Sequence, residues 1–176
     1  FWNRALQSTL PPGSTFKILA AYSAALDAGG LTLASVQDDA PYTYAGANGK
    51  SVNNYDRRYR GFTTLREAIT DSINIVTVKT LAQAGVSLGW QYVQEYGFTT
   101  VDSRDMNEAL ALGGITQGVS NLELTAAYAA IANQGTYIRP KFYTKILDHD
   151  GNVLIDNTTP ESHTVIKDTT AWLLTS

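Results

Sequence analysis

The sequence predicts a mainly α-helical chain that carries one small β-hairpin. Three observations lead there. Apolar runs closed by glycine recur along the chain. Two of them open on a Ser/Thr-x-x-Glu pattern, Thr64-Leu65-Arg66-Glu67 and Ser120-Asn121-Leu122-Glu123. In such a box the hydroxyl accepts the N3 amide and the carboxylate reaches back to the N-cap amide, so both mark helix starts. Late in the chain the period changes to two: Phe142, Thr144 and Ile146 alternate, a turn follows at Asp148-His149-Asp150-Gly151-Asn152, and Val153-Leu154-Ile155 returns.

In order, Phe1 to Leu10 is short and mixed, a loop or a helical turn. Residues 14–28 form the first strong helix, apolar nearly all round and stopped by Gly29-Gly30. Residues 31–62 read as a long polar loop, with a short strand at Tyr42-Thr43-Tyr44 and a turn over Gly46-Ala47-Asn48-Gly49-Lys50. The Thr64 box starts a helix ending near Asp71 or Ser72, and Ile75, Val76, Val78, Leu81 and Ala82 continue as another helix to Gly85. Ser87 to Tyr96 has helical spacing, which makes Trp90, Tyr92 and Tyr96 packing residues. Met106 to Leu112 is short and apolar and leads to the glycine-rich loop Gly113 to Gly118. The Ser120 box opens a helix through Asn133, Val165-Ile166 reads as an edge strand, and Thr169 begins a last helix.

Composition narrows the function. Of 176 residues, 44% are hydrophobic and only 16% charged, with a net charge of −3, enough apolar material for one real core. Arg57, Arg58 and Arg60 are the one basic cluster and read as a solvated loop, so nucleic acid is not an expected partner. The absence of cysteine excludes disulfides and thiolate chemistry. No apolar run is long enough to span a membrane, and with Phe1 rather than Met at the start the sequence reads as a piece of something larger.

The chemical centre of the sequence is Pro11-Pro12-Gly13-Ser14-Thr15-Phe16-Lys17. Two prolines favour extended backbone, glycine allows a tight turn, and Ser14 then stands at a helix start. Positions i and i+3 share a helix face, which sets the Ser14 hydroxyl beside the Lys17 amine. Burial lowers a lysine pKa toward that of a neutral base, and a neutral amine beside a serine activates the hydroxyl as a nucleophile. The plain alternative is an N-cap serine and a first-turn charge. Ser72-Ile73-Asn74 is a second candidate, a hydroxyl and an amide two residues apart at a helix junction; Ser51-Val52-Asn53 repeats the pattern, which alone is weak. His149 in the hairpin turn and His163 beside the edge strand read as surface residues, which argues against a Ser-His-Asp hydrolase. Asp148, Asp150 and Asp156 read as turn carboxylates with little claim on a cation. Tyr55, Tyr59 and Phe62 are candidates to line a cleft near Ser14.

Ser-x-x-Lys followed by Ser-x-Asn is the order found in the penicillin-recognising serine enzymes. The surrounding stretches are more specific. Asn3-Arg4-Ala5, Pro12 to Lys17, Asn53-Asn54-Tyr55, Gly61 to Ala68, Ser72-Ile73-Asn74, Ala111 to Leu124, Ala127 to Gly135 and Asp148 to Leu154 together resemble the transpeptidase domain of class A, bifunctional penicillin-binding proteins. The resemblance spans essentially the whole chain and selects Ser72 to Asn74 as the second motif.

The resemblance implies the central, mostly helical portion of the α/β transpeptidase (serine β-lactamase-like) fold, with residues 1–176 a partial domain incomplete at both ends. It implies Ser14 as the nucleophile toward the penultimate D-Ala carbonyl of a peptidoglycan stem peptide, Lys17 as general base and Ser72 as proton relay to the leaving amine. Asn74 would bind the substrate amide, and the Ser14 backbone N–H would form half of an oxyanion hole. β-Lactams would acylate Ser14. No cofactor or metal is implied. The site would face the outside of the bacterial cell membrane, with the intact protein anchored there by a helix not in this sequence. One departure stands out: the family's third motif, Lys-Thr-Gly on an edge strand, is absent, and Lys79-Thr80-Leu81 falls in an expected helix. The fragment alone is therefore expected to be impaired. A β-lactamase or β-lactam sensor is the alternative within this chemistry; a non-catalytic binding or scaffold module is the alternative outside it.

Overall fold

A computed structural model describes residues 1–45 and 50–176. The N-terminal stretch is a short helix α1 (Arg4–Gln7) and a two-residue strand β1 (Thr9–Leu10). The helix expected over 14–28 is one continuous helical rod of three geometries. It begins as a 3₁₀ turn at Gly13–Thr15, passes through a π segment at Ile18–Tyr22, and ends as α2 (Ser23–Asp27). Such a π turn widens the coil by one residue, and the Ser23 amide accordingly bonds back to the Ile18 carbonyl. Gly30, with φ of +72°, takes the chain out at the predicted stop.

The long polar stretch is more ordered than its composition suggests. β2 (Val36–Asp39) pairs antiparallel with β5 (Gly61–Thr64), and between them β3 (Tyr42–Thr43) pairs with β4 (Ser51–Val52). The turn expected over Gly46 to Lys50 falls outside the described residues at positions 46–49. Thr64 caps α3 (Leu65–Thr70) with both bonds of the box in place, then α4 (Asn74–Ala84) and α5 (Val86–Glu95) follow. Two 3₁₀ turns, Ser103–Asp105 and Glu108–Leu112, lead to β6 (Val119–Ser120), which pairs with β1. Ser120 caps α6 (Asn121–Ala132) with its own complete box.

β7 (Thr136–Ile138) then precedes the predicted hairpin, β8 (Lys145–Leu147) and β9 (Val153–Asp156). The Asp148 carboxylate accepts the backbone amides of Asp150 and Asn152 and so closes the hairpin turn. The expected edge strand sits slightly earlier than read. β10 (Ser162–Thr164) pairs with β7, whereas Val165 and Ile166 leave the ladder and bury against the helices before α7 (Asp168–Thr175). Among the described residues all five sheets are two-stranded, so the helices carry the core. Among the described residues no helix is long and apolar enough to cross a membrane.

The rod at 13–27 runs through the centre of that core. Phe16, Leu19, Ala20, Ala21 and Ala24 are fully buried against Ile75, Val78 and Leu81 of α4, Val93 and Tyr96 of α5, and Ala127 of α6. The alanines let neighbouring helices approach closely. Gly89 on α5 shows how closely: a Cβ there would lie 2.5 Å from the Ala20 carbonyl oxygen and collide with the Leu81 side chain. Two hydroxyl pairs satisfy the polar groups this burial strands, Tyr22 with Thr77 at 2.8 Å and Ser23 with Tyr96 at 2.9 Å. Tyr92 and Tyr96 are core residues as expected, while Trp90 packs at the edge and donates its indole N–H to the Asp102 carbonyl.

Gly89→Ala tests this packing by sign. On a free helix the change stabilises by about 1 kcal/mol. Here it forces α5 off the central rod, and urea unfolding should show a loss of about 1–3 kcal/mol.

Candidate functional site

Ser14 occupies the 3₁₀ turn at the head of the central rod and is solvent-exposed. Gly13, at φ of +58°, makes the turn possible. Two hydrogen bonds hold it, one from α6 and one within the turn. The Tyr128 hydroxyl on α6 donates to the Thr15 carbonyl at 2.6 Å, and the Thr15 hydroxyl donates to the Pro12 carbonyl at 2.7 Å. Gly113, which ends the 3₁₀ turn at 108–112, is so close that a Cβ would meet the Gly13 backbone nitrogen and oxygen at 2.6 Å. Neither Tyr128 nor Gly113 carried a local sequence signal for this role.

Lys17 lies one turn further on and is 3% exposed. Its ammonium makes three hydrogen bonds, one per proton: to the Ser72 carbonyl at 2.6 Å, the Ser72 hydroxyl at 2.9 Å and the Asn74 side-chain oxygen at 2.7 Å. All three acceptors are neutral, so burial dominates and lowers the lysine pKa from its ordinary value to about 8. The structure thus brings Lys17, Ser72 and Asn74 into direct contact across more than fifty residues of chain. Ser14 shares their neighbourhood through the rod, but among the described residues its hydroxyl makes no hydrogen bond to Lys17; the amine is turned fully toward the α3–α4 junction.

That junction has an unusual backbone. α3 ends at Thr70, the Ile73 amide bonds back to the Ala68 carbonyl, and Ser72 sits at φ of +53°. Glycine or asparagine is usual at this left-handed position after a helix. A serine there carries backbone strain of order 1 kcal/mol. Ile73 is the N-cap of α4 and Asn74 its first residue, so the junction offers the hydroxyl of one helix end and the amide of the next helix start. The Asn74 nitrogen donates to the Asn53 carbonyl at 2.8 Å, which fixes its oxygen toward Lys17.

Of the aromatic candidates, Tyr55 borders a cavity of about 150 Å³ beside Ser72, together with Asn54, Arg60 and Asp71. Tyr59 and Phe62 are exposed and stand outside it. Against the Ser14 turn a wider cavity of about 810 Å³ is walled by Leu10, Pro11, Pro12, Thr15, Val119 and Leu124. Ser51, the rival of Ser72 in sequence, is an exposed strand residue, and only the Asn53 backbone reaches the site. Lys79 and Thr80 are helical: Lys79 donates to the Asp38 carbonyl and Thr80 to the Val76 carbonyl, so this stretch is not an edge-strand motif. His163 packs on Tyr137 with a ring nitrogen 2.8 Å from the Glu95 carbonyl oxygen, and His149 is exposed in the hairpin turn; neither meets Ser14. Among the described residues no cluster of three or more His, Cys, Asp or Glu is arranged to hold a metal ion.

Known proteins share the sequence and the overall fold. Residues 1–176 match the family described as the penicillin binding protein transpeptidase domain. The chain is 39% identical over 164 residues to penicillin-binding protein 1F of Bacillus subtilis, covering 93% of this chain and 22% of that protein. It is 37% identical over 156 residues to penicillin-binding protein 1A of Neisseria meningitidis, covering 86% of this chain and 19% of the relative. It therefore spans about a fifth of the length of these relatives. Among solved structures, penicillin-binding protein 1A of Haemophilus influenzae superposes with a TM-score of 0.83 at 28% identity over 98% of this chain and 30% of that one. The fold also matches penicillin-binding protein A of Mycobacterium tuberculosis, seen as its imipenem acyl-enzyme complex, with a TM-score of 0.84 at 23% identity over 99% of this chain and 44% of that one. With the Lys17–Ser72–Asn74 contact at the head of the same helical core, the chain belongs to the transpeptidase domain family of penicillin-binding proteins.

Proposed function

We propose that this segment supplies the acylating machinery of a peptidoglycan D,D-transpeptidase of the class A type, with Ser14 as nucleophile. The observation that carries the reading is the buried Lys17 amine, held by Ser72 and Asn74 at the head of the helix that presents Ser14. A lysine with a pKa of about 8 is neutral in roughly one molecule in ten at pH 7, against a few in ten thousand for an ordinary lysine. Neutral Lys17 takes the Ser14 proton as the hydroxyl attacks the penultimate D-Ala carbonyl of a stem peptide. The Ser14 backbone N–H, in the first turn where amides lack helical partners, stabilises the developing oxyanion. Ser72, hydrogen-bonded to Lys17, passes the proton to the departing D-Ala nitrogen. An amine of a neighbouring stem then takes the acyl group and regenerates Ser14.

Asn74 has the capacity to bind substrate while it holds Lys17. Its oxygen has a second lone pair and its nitrogen a second proton beyond those used on Lys17 and Asn53. β-Lactams acylate Ser14 by the same attack on a strained amide, in keeping with the acyl-enzyme seen in the M. tuberculosis protein. The reading places the site outside the cytoplasmic membrane, in a protein anchored by another segment. The sequence contains no Lys-Thr-Gly, so the segment by itself should acylate far more slowly than a chain that includes that strand.

Incubation with penicillin followed by intact-mass measurement tests the assignment. A protein combining this segment with a Lys-Thr-Gly strand should gain one stable adduct, lost in Ser14→Ala. An adduct that survives Ser14→Ala refutes the nucleophile, and rapid hydrolytic turnover of penicillin would point to a β-lactamase instead. The rate of acylation should rise with pH through a midpoint near 8, where Lys17 loses its proton. Lys17→Arg, which stays protonated, should cut the rate at pH 8 at least about 100-fold, measured with a fluorescent penicillin.

A further inference from the structure

The Asn74 amide faces Lys17 with its oxygen, yet nothing on α4 itself dictates that orientation. The Lys17 ammonium, a donor only, draws the oxygen, and the Asn53 carbonyl, which accepts the Asn74 nitrogen, holds the other end of the amide. That carbonyl is set by its neighbour. Asn54 is 4% exposed, and both its side-chain nitrogen and its oxygen are hydrogen-bonded. Its nitrogen donates to both oxygens of Asp39 at 2.7 and 3.0 Å and to the Arg58 carbonyl at 2.8 Å. Its oxygen accepts the Ile75 amide, in the first turn of α4, at 3.1 Å. Asp39, at the end of β2, is fully buried, and its carboxylate also accepts the Arg60 amide at 2.9 Å.

An ionised carboxylate only accepts hydrogen bonds. Asp39 therefore obliges Asn54 to present its nitrogen to β2 and its oxygen to α4. Asn54 is clamped between sheet and helix, and the adjacent Asn53 carbonyl lies opposite Asn74.

We propose that Asp39 and Asn54 are positioning residues for the lysine: through the Asn53 carbonyl they lock the Asn74 amide so that its oxygen, not its nitrogen, meets Lys17. The proposal rests on the reading of Lys17 as the base, and it adds a layer that touches neither substrate nor nucleophile. A flipped or loosened Asn74 would aim N–H groups at an ammonium or withdraw its oxygen. Either change removes an acceptor from the charged form of Lys17 and lowers its pKa. The surroundings of Lys17 leave few other sources for such a change. Its direct partners from the α3–α4 junction are neutral; Asp71, next to Ser72, lies 3.9 Å from the Arg60 guanidinium; Asp39 reaches it only through the two asparagines; and on the α6 side the Tyr128 hydroxyl is bonded to the Thr15 carbonyl.

The test is the titration of Lys17, followed by the NMR shift of its ¹³Cε in the chain, which requires no penicillin. Asn54→Leu changes no charge. It should lower the Lys17 midpoint by about half a unit or more. An unchanged midpoint in a folded Asn54→Leu protein would mean that Asn54 only supports the fold, and would overturn the proposal. The reciprocal exchange Asp39→Asn with Asn54→Asp covers the case in which Asn54→Leu does not fold. It keeps a carboxylate–amide pair and an oxygen for the Ile75 amide, losing the donor to the Arg58 carbonyl, and should fold with Lys17 titrating at or above the parent midpoint. An exchanged protein that is unfolded by circular dichroism, or that titrates below the parent, would also overturn the proposal. Failure of Ser14 to label with penicillin would count against the catalytic reading and leave this titration result standing.

Discussion

The site depends on one act of burial: an amine is carried into the interior on a helix made mostly of alanine and large apolar residues. Stripped of water, the Lys17 ammonium must find three acceptors, and it finds them on a single junction 55 residues away in sequence. Much of the local architecture follows from that need. The α3–α4 corner must turn sharply enough to aim a carbonyl, a hydroxyl and an amide oxygen at one point. The central rod must stand close enough to receive them, which the small residues at 20, 21, 24 and 89 allow.

The same burial gives the amine two readings at once. Three good acceptors favour the charged form, while desolvation disfavours it, and burial prevails, leaving a pKa of about 8. Of the three partners only the Ser72 hydroxyl can reverse its role and donate. When the lysine sheds its proton, the carbonyl and the Asn74 oxygen remain acceptors for its two remaining hydrogens, and the hydroxyl turns to the new lone pair. The Ser72 hydroxyl can thus accept from Lys17 in one state of the lysine and donate to it in the other.

Local chemistry made part of this legible in the sequence. The boxes at Thr64 and Ser120 place two helix starts because a hydroxyl and a carboxylate three residues apart serve the same free amides wherever they occur. The hairpin at 145–156 follows from an aspartate that can close its own turn. Other features depend on partners far away and left no local trace. The π segment at 18–22 sits inside a run that reads as ordinary helix. Val165 and Ile166 have strand-like side chains, but the core drew them out of the ladder, and the polar Ser162 to Thr164 took the edge. Ser14 and Lys17 could be singled out from spacing and burial, yet the pairing of Lys17 with Ser72 and Asn74 rather than with Ser14 was not contained in that spacing. Asp39 looked like one acidic residue in a polar loop; its importance lies in Asn54, fifteen residues on, which no short pattern connects to it. The family resemblance bridged some of these distances because it carries the order of separated motifs.

The left-handed backbone at Ser72 sets stability against chemistry at a single position. Glycine would relax that corner, since it has no Cβ to crowd the turn. A protein selected only for resistance to heat would thus drift toward glycine there and lose the one hydroxyl that can both accept from the lysine and donate to it. Serine at this corner sets a less comfortable backbone against a hydroxyl within hydrogen-bond reach of Lys17.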